Sequence, residues 1–373
     1  MSERNGHSGN GQAPLDADEK TGPEDIGHRA PMFQGLQGGR PVDERAGHQD
    51  RRRGTGRRRG SGEQTMVPDA EFGSYYGRPV LKPPVWKHEI PLYLFTGGLA
   101  AGSAVVAAGA DLTGRPALRK VSWLGSFGGL LASLWFLVYD LGRPERFHHM
   151  LRVAKPTSPM SVGTWVLTAF GPGVGAAALN ELVPRRWRRR WAFRLLNRLA
   201  RPLGLSSAAI APAVASYTSV LLSHTAVPGW NEVRDELPFV FAGSAAASGG
   251  GFGMLAAPVG ENGPARLFAA VGAAQELVAS RVMEHRMGLV REAYEHGHVG
   301  RYGRGAEWLT VGGLAGTVLL AGRSRAGAAA SGLALLAGSA CQRFRVFEAG
   351  VESTRDPKYV VVPQRERLEA RTS

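Results

Sequence analysis

From residue 90 onward the chain carries a series of long, apolar, glycine-rich stretches, and this pattern constrains the fold more than any other feature. Each stretch is close to the roughly 20 residues that an α-helix needs to cross about 30 Å of hydrocarbon. The sequence therefore predicts an all-α, multi-pass membrane protein with about eight transmembrane helices in a domain over residues 84–345. The predicted spans are 90–110, 121–139, 161–181, 206–226, 237–257, 265–283, 306–322 and 327–343.

The two ends of the chain have a different composition. Residues 1–83 are rich in Gly, Arg, Asp, Glu, Gln and Pro and have almost no apolar periodicity. Such a segment buries too little apolar surface to offset its chain entropy, so we predict a disordered basic and polar tail. Residues 346–373 are predicted to form a polar C-terminal tail.

Charge and cysteine content exclude several functions. The formal net charge is +14, but the arginines are dispersed over the tail and the membrane flanks, which argues against nucleic-acid binding. The single cysteine, Cys341, excludes a disulfide framework, a cysteine-ligated iron–sulfur cluster and a C-x-x-C-H haem site. Only His224, near the end of the fourth predicted span, falls inside a span, so the paired histidine ligands of a b-type haem are missing. We expect no haem, iron–sulfur cluster or metal in this chain.

Three segments predict particular arrangements of helices. Gly98 and Gly102 have the GxxxG spacing, and 243–253 is similarly rich in small residues, which favours close approach of helices. Residues 184–204 carry Trp187 and Trp191 at helical spacing among eight arginines, which predicts an interfacial amphipathic helix before the fourth span. The flanking charges leave the orientation of the chain in the membrane open.

An even number of spans brings an unusual set of polar residues to one side of the membrane. A carboxylate, an imidazole and a phenol at the membrane boundary suit a lipid-soluble quinone, whose carbonyls need hydrogen-bond donors and whose reduction takes up two protons. The candidates for binding it are Trp86, His88, Asp140, Arg143, Tyr217 and His224.

Structural alternatives exist for these residues. Asp140 with Arg143 or Arg146 is also typical of an ion pair that closes a tight loop, and Trp86 and Trp230 are also typical of anchors at the membrane surface. Ionisable residues inside or at the ends of spans are sparse. Glu276, Asp111 and Glu284 are candidates for a proton path, and the alternative for Glu276 is a packing residue.

Three segments together resemble the NrfD/PsrC family, the membrane subunits of polysulphide reductase, nitrite reductase and related molybdoenzyme complexes. They are HEIPLYLFTGGLAAGS (88–103), LWFLVYDLGRPERFHHML (134–151) leading into SPMSVGTWVL (158–167), and SYTSVLLSHTAVPGWN (216–231). With the intervening spans, the resemblance covers roughly residues 85–345.

The resemblance implies an eight-helix subunit without cofactors, arranged as two four-helix bundles. It implies a quinol site in the first bundle, with His88, Asp140 and Tyr217 at the positions of the family's site residues; Lys87 and Glu89 are alternatives to His88. It also implies two partners, a ferredoxin-like iron–sulfur subunit and a molybdopterin catalytic subunit, in a bacterial cytoplasmic membrane.

The sequence thus predicts a non-autonomous subunit that exchanges electrons between the quinone pool, menaquinone or ubiquinone, and an iron–sulfur partner. Two other functions stay open. One is a proton- or solute-conducting membrane protein, and the other is a purely structural membrane anchor.

Overall fold

The computed structural model describes residues 79–187 and 190–372, and within these ranges the chain contains helices and no strand. The predicted disordered tail therefore lies outside the described residues, except for 79–83. In chain order the α-helices are α1 (Glu89–Leu112), α2 (Pro116–Tyr139), α3 (Pro159–Leu182), α4 (Trp191–Ser223), α5 (Pro228–Asn231), α6 (Leu237–Ala256), α7 (Gly263–Arg286), α8 (Arg291–Glu295), α9 (Gly297–Leu319), α10 (Arg325–Ser353) and α11 (Lys358–Thr372). Short 3-10 helices cover Pro144–Arg152, Arg185–Trp187 and Gly288–Val290.

Each of the eight predicted spans overlaps one long helix. Five of these helices, α1, α2, α3, α4 and α6, are long and apolar enough to cross a membrane. The other three, α7, α9 and α10, have similar lengths but carry charged residues within them. They include Glu276, Arg281 and Glu284 in α7, Arg301, Arg304 and Glu307 in α9, and Arg343 and Arg345 in α10.

Several of the helices begin where the sequence supplies a cap or a proline. Proline occupies the first turn of α2 and α3, where its missing N–H breaks no helical hydrogen bond. Ser324 caps α10 by accepting a hydrogen bond from the Gly327 N–H at 2.9 Å. The carboxylate of Glu261 accepts from the backbone N–H groups of Ala117 and Leu118, at 2.7 and 3.2 Å, and so caps α2 from the loop before α7.

Helices α1 and α6 lie at the centre of the membrane domain. Helix α1 contacts α2, α4, α6 and α10, and α6 contacts α1, α4, α7 and α10. The backbones of α1 and α6 approach closely, since a Cβ atom on Gly102 would lie 3.1 Å from the Cα atom of Gly249. The packing role predicted for the GxxxG pair is confirmed at Gly102, and Gly98 makes room for the Arg343 guanidinium of α10.

The predicted amphipathic segment is not a separate helix. From Trp191 it forms the first part of α4, which continues without interruption into the predicted fourth span. Trp191, Leu195, Leu199 and Leu203 recur every four residues and are all exposed, so they form one apolar stripe on α4. The predicted polar C-terminal tail is also helical, because α10 continues to Ser353 and α11 follows.

Candidate functional site

The residues that the sequence predicts to bind a quinone lie at one end of the helices. This end, called the proximal end below, contains the start of α1, the ends of α2 and α4, the short helices α5 and α8, and the end of α10. Contacts connect these elements: Tyr294 of α8 donates a hydrogen bond to the Gly229 carbonyl of α5 at 2.7 Å, and the Trp230 indole of α5 donates to the Val346 carbonyl of α10 at 2.8 Å. The opposite end, which holds the α1–α2 turn, is called the distal end.

Asp140 is the residue that ends α2, and it lies close to the start of α1. Its backbone N–H donates to the Phe136 carbonyl at 3.1 Å and completes the last turn of the helix. Partial burial raises the pKa of the Asp140 carboxyl, the nearby Glu89 carboxylate raises this pKa further, and the Lys87 ammonium lowers it. Asp140 and Glu89 thus form an acidic pair at the proximal end.

Glu89, rather than His88, is the α1 residue that faces Asp140. The Glu89 side chain is half-buried, and its Oε2 atom has no hydrogen-bond partner among the described residues. The side chain of His88 is exposed, and it makes no capping hydrogen bond at the start of α1. Neighbouring residues of a helix point about 100° apart, so His88 and Glu89 do not both face Asp140.

The ion pair considered for Asp140 is absent from the described part of the chain. Asp140 forms no ion pair with any residue of 79–187 or 190–372, and Arg143 and Arg146 are exposed. Arg143 precedes the proline-initiated 3-10 helix Pro144–Arg152, which directs the chain away from the end of α2.

Tyr217 forms the second part of the site, together with a residue that sequence reasoning missed. The hydroxyl of Tyr217, on α4, is hydrogen-bonded to the hydroxyl of Tyr93, on α1. Tyr93 is only 4% exposed, and a Cβ on Gly163 of α3 would overlap the Tyr217 ring. Tyr93 follows Glu89 by four residues, one helical turn, and this spacing was the available signal for it.

The two tryptophans have different surroundings from those of membrane-surface anchors. Trp230 is fully buried, so the anchor interpretation is wrong for it. Its ring lies 5.9 Å from the ring of Phe347 and 5.9 Å from that of Trp86, with which it stacks. Trp86 is half-buried and packs against the same apolar cluster as Tyr217.

His224 follows α4 and has an exposed side chain. The turn after it is held by Asn231, whose side-chain amide donates to the Ser223 carbonyl at 2.9 Å. The structure thus places Glu89, Asp140, Tyr93 and Tyr217 at the proximal ends of α1, α2 and α4. His88, Arg143 and His224 lie exposed around the same end.

The three candidates for a proton path fall into two regions. Glu276 and Glu284 lie on α7, where Glu276 is buried. Asp111 lies at the distal end, where it binds Arg119 at 3.2 Å and Arg201 at 2.8 Å. There it lines a cavity of about 200 Å³ between the ends of α1 to α4.

The chemistry available at the proximal end is hydrogen bonding and proton transfer. Among the described residues, no group of three or more His, Cys, Asp and Glu side chains is arranged to hold a metal ion. A pair of carboxylates and a pair of phenols beside apolar helices can bind a small oxygen-containing molecule and move its protons.

The fold and the site define a multi-pass integral membrane protein with its polar groups gathered at a helix end. Residues 80–261 match the family model described as "Polysulphide reductase, NrfD", and this part of the chain belongs to the NrfD family. The match includes Glu89, Tyr93, Asp140 and Tyr217 and ends just before α7, so it covers less of the chain than the predicted resemblance. The family implies a membrane subunit of an oxidoreductase complex. No curated protein matches the chain.

Proposed function

We propose that this chain is a quinone-reactive membrane subunit, which passes electrons between the membrane quinone pool and an attached iron–sulfur protein. The observation that carries the proposal is the Glu89–Asp140 carboxylate pair beside the Tyr93–Tyr217 phenol pair, on three neighbouring helices of one end. Membership of the NrfD family supports it.

The residues have complementary parts in this reaction. Oxidation of a quinol releases two electrons and two protons, and the Asp140 and Glu89 carboxylates accept the protons near the membrane surface. The Tyr217 hydroxyl donates a hydrogen bond to a quinone oxygen, with Tyr93 as its partner when no quinone is bound. Trp86, His88, Arg143 and His224 lie around the same end, where His88 serves as a second proton carrier. In the reverse direction the same groups supply the protons.

The electrons leave directly to a partner. We propose a ferredoxin-like iron–sulfur subunit docked on the proximal end and a molybdopterin catalytic subunit beyond it. In the same proposal α1 to α4 form one four-helix bundle and α6, α7, α9 and α10 form a second, so that all eight long helices span the membrane.

The test uses the assembled complex and compares two activities. Tyr217→Phe removes one hydroxyl, and quinol-coupled turnover is expected to fall about two- to tenfold, because a neutral hydrogen bond contributes about 0.5–1.5 kcal/mol. Dye-coupled activity of the soluble subunits should persist. The matched control is Tyr302→Phe on α9, whose ring stacks on Phe344 away from the site.

Equal quinol turnover in the Tyr217→Phe variant and the wild type would contradict the assignment of Tyr217. A second variant combines Tyr217→Phe, Asp140→Asn and Glu89→Gln. If it forms a folded complex and its quinol turnover is unchanged, a structural anchor is favoured.

A further inference from the structure

A row of polar side chains crosses the interior on α7, outside the proximal site. Glu276, Ser280 and Glu284 recur every four residues and therefore lie on one side of the helix. Each has a partner on α10: Arg343 interacts electrostatically with Glu276, the Gln342 amide donates to the Ser280 hydroxyl at 3.4 Å, and Arg345 pairs with Glu284 at 2.9 Å. We call these six residues the polar ladder.

The inner end of the ladder is enclosed by protein. Glu276 is 3% exposed and Arg343 is 1% exposed. Among the described residues, Glu276 Oε2 and Arg343 Nε and Nη1 have no hydrogen-bond partner. The Arg343 Nη2 group donates to the Phe241 carbonyl at 2.8 Å, which holds the guanidinium against α6. A carboxylate and a guanidinium thus face each other without a direct ion pair, and each keeps free hydrogen-bonding capacity.

The outer end reaches the protein surface. Glu284 lies 3.9 Å from Arg281, which is itself exposed and pairs with Glu307 of α9. A cavity of about 20 Å³ between α7, α9 and α10 has Glu276, Ser280, Arg281 and Glu284 in its lining. About 10–15 Å³ suffices for one water molecule in a polar site. The polar groups and this water-sized space thus lie between the exposed Arg281 and the buried Glu276.

The surroundings of Glu276 suit proton exchange better than packing. A buried carboxyl oxygen without a partner is costly, and a purely structural carboxylate is normally paired in full. The charged groups that face it are Arg343 and, across the cavity, Arg281, Glu284, Arg345 and Glu307; α6 contributes only the Ser244 hydroxyl.

We propose that the polar ladder is a proton-access path through which Glu276 takes up a proton from water at the Glu284 end and returns it. This function goes beyond quinone reactivity and does not depend on it. One proton moves along hydrogen bonds through the cavity water, and no electron is transferred.

The first test is an infrared pH titration of the purified full chain, in buffers from about pH 5 to about pH 9. A carbonyl-stretching band of one protonated carboxylic acid should appear as the pH falls, and it should disappear in the Glu276→Gln variant. Glu366→Gln, which changes an exposed glutamate of α11, is the control that should keep the band. A band of wild-type size in Glu276→Gln would overturn the proposal.

The second test measures access and does not require the Glu276 variant to fold. The double variant Ser280→Ala and Gln342→Leu removes the middle pair of the polar ladder. It should preserve the band and slow the hydrogen–deuterium exchange of this group about 100-fold, which is at the lower end of the range for loss of a positioned proton-transfer group. Ser331→Ala, which removes a buried hydroxyl bonded within α10, should leave the exchange rate unchanged. Exchange in the double variant slowed less than about tenfold would overturn the path. Neither measurement involves quinol, so its failure leaves the quinone proposal intact.

Discussion

Asp140→Asn separates a proton-transferring role from a structural one. Loss of a positioned proton donor or acceptor typically lowers a rate by about 100-fold to 10,000-fold. At about 1.36 kcal/mol per factor of ten, this raises the barrier by about 2.7–5.4 kcal/mol. Quinol-coupled turnover should therefore nearly vanish while dye-coupled activity of the soluble partners persists.

The Asp140→Asn substitution should lower quinol-coupled turnover but should not lower the stability of the fold. The pKa of Asp140 in the folded chain is raised, first by burial and then by Glu89, so folding favours the protonated carboxyl. This contribution is present below the ordinary carboxyl range near pH 4 and is lost as the pH rises through the raised pKa. At about pH 7 the amide should make the fold equally stable or more stable, by a fraction of about 1 kcal/mol because the side chain is partly exposed. Near about pH 3 the difference should disappear.

The assay pairs turnover with reversible unfolding in detergent mixtures at both pH values. Glu181→Gln is a matched control at the distal end, where the carboxylate accepts from Arg119 at 2.7 Å. That variant should lose about 1 kcal/mol of stability and keep its quinol turnover. An Asp140→Asn variant that loses stability at about pH 7 and retains near-normal turnover would refute the reasoning and restore the ion-pair interpretation.

Two further predictions concern packing and redox centres. Gly350→Ala should destabilise the fold by about 1–3 kcal/mol, because its Cβ would overlap the buried Trp230 indole; Gly312→Ala, in open space on α9, should stabilise it by about 0.5–1 kcal/mol. Chemical unfolding of both variants checks this pair, and equal effects would contradict it. The purified chain should show no haem band in a reduced-minus-oxidised spectrum and no stoichiometric iron, and Cys341→Ser should still assemble with its partners. A b-type band from this chain would contradict the prediction.

The helices could be predicted from the sequence because membrane spans depend on composition over about 20 residues. Their ends were less predictable. The predicted interfacial helix is the first part of α4, and the helix continues through Pro202 without ending there. The predicted C-terminal tail proved helical because α11 has tertiary support: Lys358 binds Glu292 of α8 at 2.6 Å, and Arg367 pairs with Glu232. Such long-range contacts leave no local pattern in the sequence.

The candidate site was predictable as a region more than as a set of atoms. The end of α2 and the fourth span identified Asp140 and Tyr217, and both stand next to polar partners. Tyr93 was hidden because a tyrosine within an apolar span is equally typical of packing, and only the fold brings its hydroxyl to Tyr217. The membrane-anchor interpretation of Trp230 was wrong because the burial of this side chain depends on α10, which lies more than 100 residues later in the chain.

The two ends of α1 and α2 provide the strongest argument that the acidic pair has a function. At the distal end every carboxylate of the α1–α4 region has a strong partner: Asp111 and Glu181 bind Arg119, and Glu261 caps α2. At the proximal end Glu89 and Asp140 lie beside each other, and among the described residues neither has an ion-pair partner. Arg143 and Arg146 follow Asp140 closely in the sequence, and both are exposed. Burial and the Glu89 carboxylate raise the pKa of Asp140 against the opposing effect of the Lys87 ammonium, so this end of the fold favours the protonated carboxyl of Asp140. A purely structural end would have paired them, as the distal end does.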